Sequence, residues 1–174
     1  LKGKQPTKLQ LAEEAIHVER ERNHENVGSQ DQTAAAFGGL NKIEFERSGD
    51  IVVSPLSLVQ ERIMRLQSHC LLVFTGQSRI ASVVAMEQIQ NTPKKEKELH
   101  QMRQMVDEAI SILASSEDNL QEFGKLLDES WRIKQTLSSK ITNPIINEMY
   151  QTALKAGAWG GKLLGAGGGG FLLI

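Results

Sequence analysis

The feature that most constrains this chain is a glycine-rich stretch at residues 157–174, with the sequence GAWGGKLLGAGGGGFLLI. Its run of four glycines supplies no side chain to a core and loses much conformational entropy when it becomes ordered. A folded protein keeps such a run where the backbone passes close to another group, often a phosphate. A flexible linker is a poor explanation, because the apolar residues on both sides would then lie in water.

Three interpretations of this stretch can be compared, two of which are known glycine patterns. The P-loop pattern GxxxxGK[ST] fails, because the residue after Lys162 is neither serine nor threonine. The GxGxxG spacing fits from Gly165 to Gly170, but a dinucleotide fingerprint follows a strand and opens a helix, and here a helix comes first. We favour a third interpretation, a glycine loop between two strands at residues 160–164 and 170–174 that lines an active-site cleft.

The composition is that of an ordinary globular chain of 174 residues, 40% hydrophobic, with a formal charge of −1. This length suffices for one domain or two small ones. Without a basic excess or an apolar run of membrane-spanning length, neither a nucleic-acid nor a membrane partner is predicted. The single cysteine, Cys70, excludes an internal disulfide framework and favours a cytoplasmic location. Because Cys70 lies in an apolar run, we expect it in the core.

The four histidines do not predict a metal site. His17, His24, His69 and His100 lack the His-x-x-x-His spacing and a neighbouring cysteine pair. No metal ligand is therefore predicted within this chain.

Hydrophobic periodicity and helix-end signals predict an α+β fold, with helices packed on a small sheet. Thr7 and Gln10 have the spacing of a capping box, and Asn143 followed by Pro144 is typical of a helix start. The strand at 68–75 is continuously apolar, which predicts burial on both faces. Residues 55–67 are assigned to a crossing between two lobes. The predicted helices are 7–25, 30–37, 81–91, 96–114, 119–137 and 144–156, and the predicted strands are 42–46, 51–53, 68–75, 160–164 and 170–174.

Three charged residues are candidates for chemistry, each with a structural alternative. Asp31 lies in the first turn of a predicted helix, where it either stabilises the helix dipole or orients and deprotonates a hydroxyl. Arg79 follows the apolar strand, where it either clamps a phosphate or carboxylate or lies on the surface. Lys162 either neutralises phosphate charge or points outward from an edge strand.

The two ends of the chain predict a fragment. The sequence starts at Leu1 without a methionine and stops on an apolar strand, whereas natural termini are usually polar and exposed. An incomplete lobe would expose apolar surface, so homodimerisation is also expected.

Several segments in order resemble the GHMP kinases, the family of galactokinase, homoserine kinase, mevalonate kinase and phosphomevalonate kinase. The segments are GSQDQ at 28–32, AAAFGG at 34–39 and the glycine-rich stretch at 157–173. Two more, TGQSRIAS at 75–82 and SSKITNP at 138–144, are similar to the branch of D-glycero-D-manno-heptose 7-phosphate kinases and fucokinase-like proteins.

The resemblance implies a two-lobed fold. Residues 1–60 would be the end of an N-terminal lobe like domain 2 of ribosomal protein S5. Residues 61–174 would be a ferredoxin-like α+β C-terminal lobe, truncated at its end. The implied function is an ATP-dependent sugar kinase, which uses Mg²⁺ and transfers the γ-phosphate of ATP to a hydroxyl of a sugar or sugar phosphate, such as a heptose 7-phosphate.

The resemblance also implies roles for particular residues. Asp31 matches the proposed catalytic base of the family. The implied substrate-binding residues are Gly28, Ser29, Gln30 and Arg79, and the implied phosphate-loop residues are Lys162, Gly165, Ala166, Gly167, Gly168, Gly169 and Gly170.

The sequence departs from the family in one large respect. The phosphate-cradling motif, of the type Pro-x-x-x-Gly-Leu-Gly-Ser-Ser, is absent, and so is the N-terminal substrate motif. The ligands expected for Mg²⁺ are lost with them. We therefore expect the fragment to be inactive alone. The alternative is a non-catalytic ligand-binding or assembly domain that keeps the glycine loop for folding.

Overall fold

A computed structural model of the chain describes Gly3, residues 5–78 and residues 81–174, with the backbone alone for residues 81–83. Arg79 lies outside the described residues. The chain divides into two compact units, Leu1–Ser57 and Leu58–Ile174. Within the described part of the chain, no helix is both long and apolar enough to cross a bilayer.

Helix α1 of the first unit, Lys8–His17, begins at the predicted capping box. The Gln10 amide donates to Thr7 Oγ1 over 3.1 Å, and the Thr7 amide donates to Gln10 Oε1 over 2.9 Å. A π-helical turn, Val18–Arg22, follows α1, so the α-helix predicted over 7–25 ends early. The prediction of its start is confirmed.

Helix α2, Gln30–Phe37, matches its predicted bounds and packs against α1. It ends at Gly38, whose φ of +63° favours glycine. A hairpin follows, with β1 at Asn41–Phe45 and β2 at Ile51–Pro55 in antiparallel register. The predicted Gly-Asp turn joins the two strands, and the hairpin prediction is confirmed.

The described residues of the second unit form five helices on a three-stranded antiparallel sheet whose strand order is β3-β5-β4. A 3₁₀ turn, Thr92–Lys94, separates the second of these helices from the third. The helices are α3 Gln60–Ser68, α4 Ala81–Asn91, α5 Glu96–Ala114, α6 Leu120–Gln135 and α7 Pro144–Lys155, and the strands are β3 Leu72–Phe74, β4 Lys162–Leu163 and β5 Phe171–Leu173.

One face of this sheet builds the core. Leu172 of β5 pairs in register with Val73 of β3 and Leu163 of β4, so the three side chains form a row on the same face. Leu163 and Leu172 are buried, and they join Trp131 of α6 and Ile146 of α7 in one apolar cluster. The α+β class predicted from the sequence is confirmed.

The prediction of a strand at 68–75 buried on both faces is wrong. Only Leu72–Phe74 forms a strand, and Leu72 and Phe74 are 59% and 56% exposed. Helices cover one face of the sheet, so alternate side chains of β3 point to the open face. Cys70 precedes the strand and is exposed, which corrects its assignment to the core.

The segment assigned to a crossing between lobes contains α3, which carries a buried arginine. The Arg62 guanidinium donates to the carbonyl oxygens of Ile112 (2.7 Å), Leu113 (3.2 Å) and Glu117 (3.0 Å), and to Asn119 Oδ1 (2.6 Å). These partners include carbonyls of the last turn of α5, where the helix itself supplies few amide donors. The Arg62 side chain therefore donates hydrogen bonds to carbonyls at the end of α5 and also holds the turn that leads into α6.

We predict that Arg62→Met lowers the free energy of unfolding in urea by about 2–3 kcal/mol, because one buried and two partly buried carbonyls each lose a charged donor. The control is Arg65→Met in the same helix, which removes an exposed ion pair with Asp118 at 2.5 Å. That loss should stay below about 1 kcal/mol. Equal losses in the two variants would contradict the role given to Arg62.

Candidate functional site

The glycine loop, residues 165–170, joins β4 to β5 within the antiparallel hairpin, as the sequence predicts. Four of its residues have positive φ: Gly165 (+69°), Gly167 (+113°), Gly168 (+74°) and Gly170 (+96°). Such angles are open to glycine and disfavoured for other residues. The loop conformation therefore depends on the glycine run.

The loop also passes close to two other stretches of backbone. A Cβ on Gly167 would lie 2.8 Å from the Ile141 Cα, and one on Gly169 would lie 2.6 Å from the Gln77 carbonyl oxygen. The Gly168 amide donates to the Ile141 carbonyl over 2.7 Å. Side chains at these positions would force the segments apart.

The connection after β3 is held against the end of the loop. The Gly170 carbonyl accepts from the Thr75 amide (2.9 Å) and the Thr75 hydroxyl (2.8 Å), and the Gly170 amide donates to the Gln77 carbonyl (3.0 Å). Thr75 is buried. Arg79, predicted to bind substrate, belongs to this connection but lies outside the described residues.

Two side chains that the sequence did not single out reach carbonyls of the loop. Gln88 of α4 donates from Nε2 to the Ala166 carbonyl over 2.6 Å, and Lys134 of α6 donates from Nζ to the Gly165 carbonyl. No local pattern marks either residue, since they lie 78 and 31 positions from their partners. Only the packing of α4 and α6 brings them to the loop.

Lys162 lies on β4 beside the loop. Its neighbour Leu163 faces the core, so Lys162 is on the opposite face of the sheet, paired with Leu173. Burial lowers the pKa of the Lys162 ammonium, because it removes water from the charged form. Within the described part of the chain, no hydrogen bond or ion pair joins Lys162 to the loop, so its role in binding phosphate stays a prediction.

The entry to β4 is fixed by a buried tyrosine. The Tyr150 hydroxyl lies 2.7 Å from Asp128 Oδ1, to which it donates, and 3.2 Å from the Gly161 carbonyl. Burial, followed by the hydrogen bond to the Asp128 carboxylate, raises the pKa of Tyr150. Arg132 pairs with the other oxygen of Asp128 at 2.8 Å. The strand that leads into the loop is thereby tied to α6 and α7.

In the first unit, Asp31 lies in the first turn of α2, as predicted, and is exposed. Ser29 precedes this turn, and its hydroxyl accepts from Arg20 Nη2 over 2.9 Å. Arg20 Nε also donates to the Val27 carbonyl over 3.1 Å. The π-helical turn thus anchors the segment that contains Gly28 and Ser29, a contact that the sequence did not reveal.

An open cavity of about 500 Å³ lies beside this segment in the first unit. Its lining is mixed, with the polar residues Glu13, His17, Arg20, Ser29 and Glu46 beside the apolar residues Ile16, Phe45 and Ile51. Among the described residues, no three His, Cys, Asp or Glu side chains lie together as a metal site.

The second unit carries a family-specific sequence. Residues 105–174 match the family model described as GHMP kinases C terminal, a segment that contains α6, α7, both strands of the hairpin and the glycine loop. The resemblance to GHMP kinases is therefore confirmed, since this part of the chain matches the C-terminal domain of that family.

Two curated relatives are named as sugar kinases. The chain is 32% identical over 166 residues to a D-glycero-alpha-D-manno-heptose 7-phosphate kinase of Campylobacter jejuni, covering 95% of this chain and 49% of the relative. It is 28% identical over 156 residues to the bifunctional fucokinase/GDP-fucose pyrophosphorylase of Arabidopsis thaliana, covering 84% of this chain and 14% of the relative. The chain thus spans about half or less of these relatives.

A solved structure agrees with the sequence match. The D-glycero-D-manno-heptose 1-phosphate kinase of Bacteroides thetaiotaomicron superposes with a TM-score of 0.64 at 26% identity. The superposition covers 96% of this chain and 44% of the other. Both units therefore fall within the similarity.

We predict that Gly167→Ala destabilises the chain more than Gly157→Ala does. Both glycines have positive φ, +113° and +102°, so alanine costs about 1–2 kcal/mol at either position. At Gly167 the added carbon also meets backbone, which should cost about 1–3 kcal/mol more, whereas nothing lies within 4 Å of it at Gly157. Urea unfolding measures the difference, and equal losses would contradict the close approach.

Proposed function

We propose that the chain is part of an ATP-dependent sugar kinase of the GHMP type. The enzyme would transfer the γ-phosphate of ATP to a hydroxyl of a sugar or sugar phosphate, with a heptose 7-phosphate as the first candidate. The observation that carries this proposal is the glycine loop, ordered by backbone contacts in a segment that matches the kinase family. The 32% identity to a heptose 7-phosphate kinase supports the choice of substrate.

The proposal includes the lobes that the resemblance implies. Residues 1–60 would end an N-terminal lobe like domain 2 of ribosomal protein S5, and residues 61–174 would form a ferredoxin-like lobe. The division into Leu1–Ser57 and Leu58–Ile174, and an antiparallel sheet with helices on one face, support this assignment.

Asp31 acts as the base in the proposed mechanism. Its carboxylate orients the sugar hydroxyl and accepts its proton as the oxygen attacks the γ-phosphorus, while the bond from that phosphorus to the bridging oxygen breaks and ADP leaves. Asp31 is exposed, and no described arginine pairs with it, which supports a role toward a ligand rather than a structural ion pair. Gly28, Ser29 and Gln30 would bind the sugar beside it.

The glycine loop supplies donors for phosphate oxygens in this proposal. Within the described residues, the amides of Gly165, Ala166 and Gly169 donate to no acceptor. Backbone amides directed at a developing negative charge stabilise it without reorganisation. Burial lowers the pKa of the Lys162 ammonium, and a phosphate nearby would stabilise its charged form.

The described residues provide no cluster suited to Mg²⁺, so the proposal gives the ion no ligand in this chain. Mg²⁺ would enter with the phosphates of ATP and neutralise part of their charge. Homodimerisation and a cytoplasmic location stay predictions. The exposed side chains of Leu72, Phe74 and Phe171 on the open face of the sheet favour association with another surface.

The decisive measurement is ATP consumption with a panel of sugars and sugar phosphates, including heptose 7-phosphate. It should be made on the 174-residue chain beside the complete product of its gene. We expect activity only where the phosphate-cradling motif is also present. If neither protein consumes ATP with any of these sugars, the alternative of a non-catalytic ligand-binding or assembly domain would be favoured.

We predict that Asp31→Asn in the complete gene product lowers turnover at least about 100-fold, because the base is lost. ATP affinity should stay nearly constant. Asp50→Asn, in the hairpin turn of the same unit, is the control and should leave turnover unchanged. Normal turnover of the Asp31 variant would remove the residue from the role of base.

We also predict that Arg79→Ala raises the Michaelis constant for a phosphorylated sugar and not for its unphosphorylated counterpart. The reason is that a guanidinium binds phosphate with two parallel hydrogen bonds. An equal effect on both sugars would refute this assignment.

A further inference from the structure

Ala166 is the one residue of the glycine loop with a side chain, and its backbone is held on both sides. Its methyl group packs against the core cluster that includes Ile141 and Leu163. Lys134 donates to the carbonyl of the preceding peptide unit, at Gly165, and Gln88 donates to the carbonyl of Ala166 itself. Two successive peptide planes are therefore anchored through their oxygens.

Anchoring a carbonyl determines where the N–H of the same peptide points. The chain has no cis peptide bonds among its described residues, and in a trans peptide the N–H points opposite to the C=O. Since the Gly165 carbonyl is turned toward Lys134, the Ala166 N–H is turned away from it. Within the described residues this N–H has no acceptor, so it is available to a ligand.

The anchors matter because the flanking residues are glycines. Gly165 and Gly167 have φ of +69° and +113°, in a region that glycine populates as readily as negative φ. Each of the two peptide planes lies between one of these glycines and Ala166, so rotation meets little steric resistance on its glycine side. Without hydrogen bonds to their carbonyls, the two planes could turn and present oxygens where donors are needed.

We propose, on the basis of the proposed kinase function, that Gln88 and Lys134 are positioning residues for the phosphate-binding donor at Ala166. Neither side chain touches the nucleotide in this arrangement. Each holds a carbonyl away from the ligand, so that the Ala166 N–H faces a phosphate oxygen. The Lys134 ammonium also places positive charge behind the same peptide, which strengthens the N–H as a donor.

The test uses Gln88→Met and Lys134→Met in the complete gene product, with Gln101→Met as the control. Methionine keeps the length of the side chain and removes the donor. Gln101 donates to Glu129 and contacts no carbonyl of the loop through its amide. The ligands are ATP and inorganic tripolyphosphate, measured by isothermal titration calorimetry, and thermal unfolding is recorded for each variant.

We expect both variants to weaken tripolyphosphate and ATP binding about 10-fold, which corresponds to one impaired hydrogen bond to a charged group. The Michaelis constant for the sugar should not change, and the thermal midpoint should stay within about 3 °C of the wild type. Lys134→Arg, which retains a donor, should keep affinity within about threefold of the wild type. Affinity that is unchanged in both methionine variants would overturn the inference and leave the kinase proposal standing.

A second measurement does not depend on how the variants fold. The Ala166 amide of the wild-type protein, followed by ¹⁵N NMR, should shift when tripolyphosphate is added. If tripolyphosphate binds and this amide does not shift, the inference is wrong. If the wild type binds neither tripolyphosphate nor ATP and consumes no ATP, the proposed function fails and the inference fails with it.

Discussion

The second unit depends on one constraint. The backbone of the glycine loop packs directly against two other stretches of backbone, with no side chain between them. The Gly168 amide meets the Ile141 carbonyl at 2.7 Å, and the Gly170 amide meets the Gln77 carbonyl at 3.0 Å. These bonds bring the connection after β3 and the segment before α7 to the same hairpin. The loop thereby joins parts of the chain that are far apart in sequence. The close packing by itself requires glycine at 167 and 169, where a side chain would meet other backbone.

The same approach links packing to chemistry. With its carbonyls held by Gln88 and Lys134, and with Ala166 anchored in the core, the loop has little freedom to turn its donors away. The Tyr150 hydroxyl contacts the Gly161 carbonyl just before β4 and donates to Asp128 of α6. A donor that is fixed before a ligand arrives needs no rearrangement when negative charge develops, which is the condition for stabilising a transferring phosphoryl group.

Local patterns predicted the elements whose signals lie within a few residues of one another. The capping box of Thr7 and Gln10, the cap at Asn143 and the bounds of α2 and α5 agree with the structure because these bonds close within one helical turn. Burial was harder to predict. A continuous apolar run indicated a strand buried on both faces, yet Leu72 and Phe74 are exposed, since helices cover one face of the sheet only.

The sequence by itself determined the resemblance to GHMP kinases, the α+β class and the position of the glycine loop, because these follow from residue types at fixed spacing. Only the tertiary structure decided which side chains serve that loop. Arg62 reaches the end of α5 across about fifty residues, and Gln88 reaches Ala166 across 78. Such contacts depend on how helices pack on the sheet, and no spacing along the chain encodes them.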